Sequence, residues 1–479
     1  MDSPLFATIG ALRAGLQRKE FSSVELTRLA LRRLESLGRP LNAFATILHD
    51  RALREARAAD KLLARGRGGP LTGIPYGAKD LLAARGGPTT YGAPPWARQV
   101  LPFDGAVIER LNAAGAVLAA KLAMVELAGG GGYRWPSASL QGPGRNPWNP
   151  EHWSGGSSSG TGVAVAAGLV PYGIGSETSG SILSPSSNCG VTGLRPTYGL
   201  VSRYGAMALS WTMDKLGPMC RTAEDCGIVL AAMAGPDPRD PGSAGRTFRA
   251  GRPRRPLRSL RVGYAIEDFE TADPTIRATL RQALDTFKQL GVRTVRAVLP
   301  PLPIDSVART VIRVEGSAAF QDLVTSGRAA LLADQRQAIG LRAGMQISAV
   351  DYLSAMRIRR LLQDEFAKIF ERVDVLLAPA RPRPAHRIDE PIDAEWRPVG
   401  GKRRGPGGIT VVAGNAALTP AGNLAGLPGL GVPCGFSTKG LPIAVQLVGR
   451  PFDESTLIAL GRAYQDVTDW HRRIPPGCA

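Results

Sequence analysis

Two serine-rich turns and one lysine are the residues here whose types and spacing could do chemistry. The first turn is Ser154-Gly155-Gly156-Ser157-Ser158-Ser159-Gly160 and the second is Ser176-Glu177-Thr178-Ser179-Gly180-Ser181. Linkers are also rich in Gly and Ser. They do not usually flank an Ala/Gly-rich helix, here Gly162–Leu169, and an apolar strand, here Val170–Gly175. That arrangement can bring both turns to one edge of a sheet. A serine hydroxyl attacks a carbonyl only when a base takes its proton. Gly156-x-Ser158-x-Gly160 matches the elbow that presents a nucleophile to a histidine base. The elbow needs a strand directly before it, and Pro147–Trp153 reads poorly as one. Its histidine could only be His386 or His471. Lysine is the alternative base. One of only nine lysines, Lys79, ends the run Gly73-Ile74-Pro75-Tyr76-Gly77-Ala78-Lys79 and precedes Asp80. At a buried strand end its charged form loses hydration, its pKa falls, and the neutral amine can accept a proton near pH 7. A surface lysine paired with Asp80 fits the same spacing.

The elements that must position these residues follow from periodicity and punctuation. Residues 1–70 read as a helical segment, with a Ser22/Glu25 capping box, Leu26, Leu29, Ala30 and Leu34 at helical spacing, and Gly38 as a stop. A second helix is expected near residues 51–64. From 71 to 235 short apolar runs alternate with Gly-rich turns and helices, which predicts a parallel or mixed sheet covered by helices. Residues 129–162, dense in Gly, Ser, Pro and Trp, are too polar and punctuated for regular structure until about Thr161. Thr222 and Asp225 cap a helix through Ala234. Residues 236–259, rich in Pro, Gly and Arg, read as an exposed connection. A second α/β stretch spans 260–410, with a strand at 260–265, a helix at 274–290, a strand at 292–298, helices near 305–327 and 349–372, and a strand at 373–378. Residues 411–479 return to α/β, with strands at 430–433 and 441–448 and a helix from 453 to about 465.

The composition bounds what such a chain can be. Its 479 residues are 44% hydrophobic and 21% charged, which suits a globular core and excludes a disordered or collagen-like chain. The net charge of +19 is mostly arginine and is scattered, with local densities only at Arg252–Arg261 and Lys402–Arg404. It reads as a solvated basic surface, and no nucleic-acid partner is expected. Five cysteines without a CxxC pair and four dispersed histidines support neither a disulfide framework nor a metal site, and no cofactor is expected. No signal peptide or membrane span is evident, so the expected location is the cytoplasm.

Taken in order, the motifs resemble a known family. They are G-I-P-x-x-x-K-D, G-G-S-S-S-G and S-x-T-x-G-S-I, followed by Cys189–Gly199, Val201–Ala206, Asp214–Met219, Asn423–Cys434 and Leu441–Asp453. This series resembles the amidase signature family of serine hydrolases over most of the chain, most weakly at about 240–410. The resemblance implies a single large mixed-sheet α/β/α fold with helices on both faces and no metal. It implies Ser181 as nucleophile, Ser157 after a cis peptide bond as bridge, and Lys79 as base. Backbone N–H groups of Thr178, Ser179, Gly180 and Ser181 would form the oxyanion hole. Gly130, Gly131 and Tyr133 would contact substrate. The implied activity is cleavage of C–N amide bonds through an acyl-enzyme, with esters and carbamates as further substrates, by a monomer or homodimer acting on a small molecule.

The sequence departs from the family pattern at two positions near the nucleophile. Ser179 and Leu183 stand where many relatives carry Gly and Arg. Leu183 removes a cation, which leaves Glu177 without its expected partner and favours an uncharged apolar or aryl acyl group. The family's glutaminase branch, part of a tRNA-dependent amidotransferase, is a second reading. That branch needs an Arg pair, placed here at Ile339-Gly340, and an acid, absent from Ala416–Ala421. A catalytically inert binding relative is a third.

Overall fold

The computed structural model describes residues 3–251, 255–392, 403–404, 410–411 and 414–479. Part of the Arg252–Arg261 run, and Lys402, lie outside them. Eleven strands form one mixed sheet: β1 (Phe44–Ile47), β2 (Pro75–Lys79), β3 (Val117–Leu122), β4 (Tyr172–Glu177), β5 (Thr192–Arg195), β6 (Lys215–Cys220), β7 (Arg261–Tyr264), β8 (Arg293–Arg296), β9 (Val375–Pro379), β10 (Gly429–Phe436) and β11 (Pro442–Gly449). Their order across the sheet is β1-β3-β2-β4-β6-β5-β10-β11-β9-β7-β8. β2 runs parallel to both β3 and β4, while β4, β6, β5, β10, β11 and β9 alternate antiparallel.

Helices cover both faces because the central strands are apolar on both sides. In β3, Leu118 joins a core with Val229, Phe287, Leu457 and Tyr464. Its neighbours Val117 and Ala119 join the opposite core with Val163–Leu169. In β9, Val375 and Leu377 face the first core, and Leu376 and Ala378 face another, with Phe366 and Phe370. This period-two split puts one residue in each core by turns.

Several expected elements are present. Ser22 and Glu25 form a reciprocal capping box at the start of the helix Ser23–Arg33. Thr222 caps Ala223–Met233, and the helix Ala349–Arg372 matches the expected span. Others differ. The single helix expected near 305–327 is two, Ile304–Ala319 and Gln321–Thr325, broken at Phe320. Arg145–Asn146 and Asn149–Trp153 pair as a short hairpin inside the stretch expected to be irregular. Asn146 holds it together, its Oδ1 accepting from Trp148 N and its Nδ2 donating to Asn188 O. The connection after residue 235 is not simply exposed. Asp237 and Asp240 are buried, bonded to Ser202 and to Arg203.

No helix among the described residues is long and apolar enough to cross a membrane. All five cysteines are free and buried.

Candidate active site

Lys79 ends β2 between two parallel neighbours, so its side chain rises from the C-terminal edge of the sheet into protein rather than water. It is wholly buried. Its Nζ donates to Ser157 Oγ at 2.7 Å and to Ser176 Oγ at 2.9 Å. Burial pulls the ammonium down to about 7, against the opposing pull of the Asp214 and Glu177 charges. Asp80 does not pair with Lys79. Its carboxylate takes Lys121 at 2.8 Å, with both side chains buried.

The first serine turn enters this cluster through Ser157, whose peptide bond from Gly156 is cis. Ser158 locks the two turns together. Its N–H donates to the Ser181 carbonyl at 3.2 Å, and its hydroxyl donates to the Ser176 carbonyl at 3.1 Å and accepts from Ser176 N at 3.2 Å. Those bonds commit Ser158 to the backbone. The elbow reading therefore fails for a reason other than the expected one. A strand, Asn149–Trp153, does precede the turn, but Ser158 has no free hydroxyl. His386 meets that strand through its backbone, accepting from Trp153 N at 2.7 Å.

The second turn follows β4 and is held from beneath by Glu177. Its Oε2 accepts from Ile182 N at 2.9 Å and Leu183 N at 3.0 Å. Its Oε1 accepts from Arg195 Nη1 at 2.8 Å and Asn423 Nδ2 at 2.7 Å. Burial alone would raise this carboxyl, but Arg195 and the other donors hold it below the usual carboxylate range. The cation missing at Leu183 is thus supplied from β5. The N–H groups of Thr178, Ser179, Gly180 and Ser181 have no acceptor among the described residues. Gly180 has φ +92°, a conformation that side chains disfavour, whereas Ser179 shows no positive φ. Thr178 turns its hydroxyl away, donating to the half-buried Asp214 at 2.6 Å.

A cavity of about 170 Å³ reaches Ser176 and Thr178. Leu81, Ala128, Met207 and Leu209 supply apolar walls, and Arg203 and Asp240 supply polar ones. The connection after residue 235 contributes Arg239, Asp240 and Pro241, a placement that no local pattern in the sequence signals. Gly130 and Gly131, expected to contact substrate, are not among the cavity's walls and are pressed against packing neighbours. A Cβ on Gly130 would meet Leu209 and Phe320 at 3.0 and 3.1 Å, and one on Gly131 would stand 2.0 Å from Gln337 O. Tyr133 is half-buried, edge-on to Trp153 at 6.1 Å. A Cβ on Gly156 would lie 3.3 Å from its hydroxyl. Ser176 was legible in principle, because strand alternation in β4 puts it on the opposite face from Glu177. Arg381, reaching Ser184 Oγ at 2.8 Å, was not. The Ile339-Gly340 position carries no cation, and Ile339 is exposed. No group of metal-ligating side chains occurs among the described residues.

A family model described as Amidase matches residues 25–458. The chain is 40% identical to the A subunit of glutamyl-tRNA(Gln) amidotransferase from Methylococcus capsulatus, covering 98% of this chain and 99% of that one. It is 37% identical to the corresponding protein of a Roseiflexus species, over 98% of each. The peptide amidase of Stenotrophomonas maltophilia superposes with a TM-score of 0.81 at 29% identity, covering 98% of both chains. A bacterial aryl acylamidase of the amidase signature family shares the fold, with a TM-score of 0.84 at 22% identity over 99% of each. With its α/β sheet, its serine turns and matches over nearly its whole length, the chain belongs to the amidase family.

Proposed function

We propose that the chain hydrolyses C–N amide bonds through an acyl-enzyme on Ser181. The observation that carries this is the buried Lys79, bonded to Ser157 and Ser176 beside a turn whose N–H groups have no acceptor among the described residues. Ser181 Oγ attacks the carbonyl carbon, its proton passes to Ser157, and a proton of Ser157 passes to neutral Lys79. The N–H groups of residues 178–181 hold the oxyanion, where a single donor is typically worth about 10²–10³ in rate. Lys79 returns the proton through Ser157 to the amide nitrogen, the C–N bond breaks, and the amine leaves. Water then attacks the ester on Ser181, losing its proton through the same relay. The products are a carboxylic acid and the free serine. Tyr133 borders the substrate.

The apolar walls of the cavity favour an uncharged alkyl or aryl acyl group, and an acyl-enzyme mechanism extends to esters and carbamates. Release of benzoate from N-alkylbenzamides, with Ser181→Ala as control, tests the reading. A fluorophosphonate should label Ser181. No turnover and no labelling would return the chain to the inert-relative reading.

A second reading, the glutaminase component of an amidotransferase, draws support from the 40% identical relative. Against it, Thr419 lies beside the nucleophile turn, its Cγ2 3.3 Å from where a Cβ on Gly180 would stand, and Ala416–Ala421 has no carboxylate for an α-amine. Faster ammonia release from glutamine than amine release from aryl amides would favour the second reading.

A further inference from the structure

Arg381 follows β9 in the Pro/Arg-rich segment Ala380-Arg381-Pro382-Arg383-Pro384. It is mostly enclosed, yet no carboxylate pairs with it among the described residues. Its Nη1 donates to Ser184 Oγ at 2.8 Å. Its Nε is buried with no acceptor, and none is present for Nη2 among the described residues. Arg383 stands close enough to act on it, though the Glu390 and Asp273 carboxylates partly offset that charge, and its Nη2 donates to the Ile392 carbonyl. A buried guanidinium without a counter-charge is costly, and supplying an anion removes that cost.

Its place relative to Ser181 is what gives this cation a use. Ser184 N donates to Gly180 O at 2.8 Å, which closes one turn of chain that contains Ser181 and leads into the helix Leu183–Cys189. Arg381 therefore reaches to within about one turn of the nucleophile. The acyl cavity borders the other end of the same turn, at Ser176 and Thr178, and Arg381, Ser184 and Tyr133 are not among its walls. Burial lowers the guanidinium from its ordinary range and Tyr133 opposes this, but arginine remains a cation in a protein.

Resting on the acyl-enzyme reading above, we propose that the amine half of the substrate carries a carboxylate, and that Arg381 is the specificity-determining residue that binds it. The substrate class is then an N-acyl amino acid: an apolar or aryl acyl group in the cavity, a scissile amide at Ser181, and a carboxylate carbon two bonds beyond the nitrogen. A charged hydrogen bond of this kind is short and about twice as strong as a neutral one.

Two amides that release the same acid test this: N-benzoylglycine, with the carboxylate, and the neutral N-propylbenzamide, each followed by benzoate release. The expected result is a kcat/KM at least tenfold higher for N-benzoylglycine, set mainly by KM. In Arg381→Gln that ratio should collapse toward one, and Arg381→Lys should restore part of it. Equal rates in the unaltered protein would overturn the proposal, as would a ratio unmoved by Arg381→Gln. Succinamate, whose carboxylate sits on the acyl half, should be the poorer anionic substrate, and the reverse order would also overturn it. Turnover of N-propylbenzamide alone would remove Arg381 from recognition and leave the hydrolase intact. Benzoate from neither amide would remove the hydrolase reading and this one together.

Discussion

Arg195 Nη1 and Glu177 Oε1 lie 2.8 Å apart with neither side chain exposed to water, directly below the turn that presents Ser181. The pair joins β5 to the end of β4, and the other carboxylate oxygen tethers the first two N–H groups after Ser181. Removing one partner of a buried ion pair costs about 3–5 kcal/mol, because the other charge remains. Glu177→Gln should therefore lower the denaturant midpoint and reduce turnover together, since the turn loses its anchor. A companion change, Arg195→Met, should recover part of the stability in the double variant. A midpoint unmoved by Glu177→Gln would mean that Arg195 finds another counter-charge.

Lys79→Ala should abolish amide hydrolysis and weaken ester hydrolysis less. An amine leaves only when protonated, and in the proposed relay that proton comes back from Lys79. An alkoxide or phenoxide leaves with less help. Matched amide and ester substrates read the split, and equal losses on both would take leaving-group protonation away from Lys79.

Ser157→Ala should be nearly as damaging as Lys79→Ala, because Ser157 is the hydroxyl that Lys79 touches at 2.7 Å. Members of a relay act as a unit, so the double variant should be little worse than either single one. Near-normal turnover by Ser157→Ala would exclude it, and would shift attention to Ser176 at 2.9 Å.

The value of about 7 for Lys79 fixes the sign of the pH dependence. The base works only when uncharged, so kcat/KM should be low at pH 6, climb through about pH 7 and level off above about pH 8. A profile flat between about pH 6 and 9 would mean that the proton is taken elsewhere.

The chemistry was legible in the sequence where it is local. Two serine turns and a lysine at a strand end are short motifs, and the Ser22–Glu25 capping box is a four-residue signal. What was missed depends on contacts distant in the chain. The helix Gln335–Gly344 contains two glycines that read as breakers, yet Gly340 is there because a Cβ would stand 1.7 Å from the Gly131 carbonyl. The helix Leu418–Leu424 carries Pro420 in its first turn, where proline is tolerated. Arg381 sits in a proline-rich run that carries no motif, and its enclosure arises only when β9 brings that run to Ser184. Likewise, the absence of a cation at Leu183 was plain in the sequence, but its replacement by Arg195 from β5 was not.

The strand order carries a consequence for how the protein is made. Lys79, Ser157 and Ser181 all precede β10 and β11 in the chain, but β5 on one side and β9 on the other are joined only by those two strands, which end at Gly449. Until those last strands emerge, a nascent chain holds two unpaired sheet edges, the kind of surface that templates aggregation. Truncation before residue 429 should therefore yield an insoluble product even though every reacting group is present.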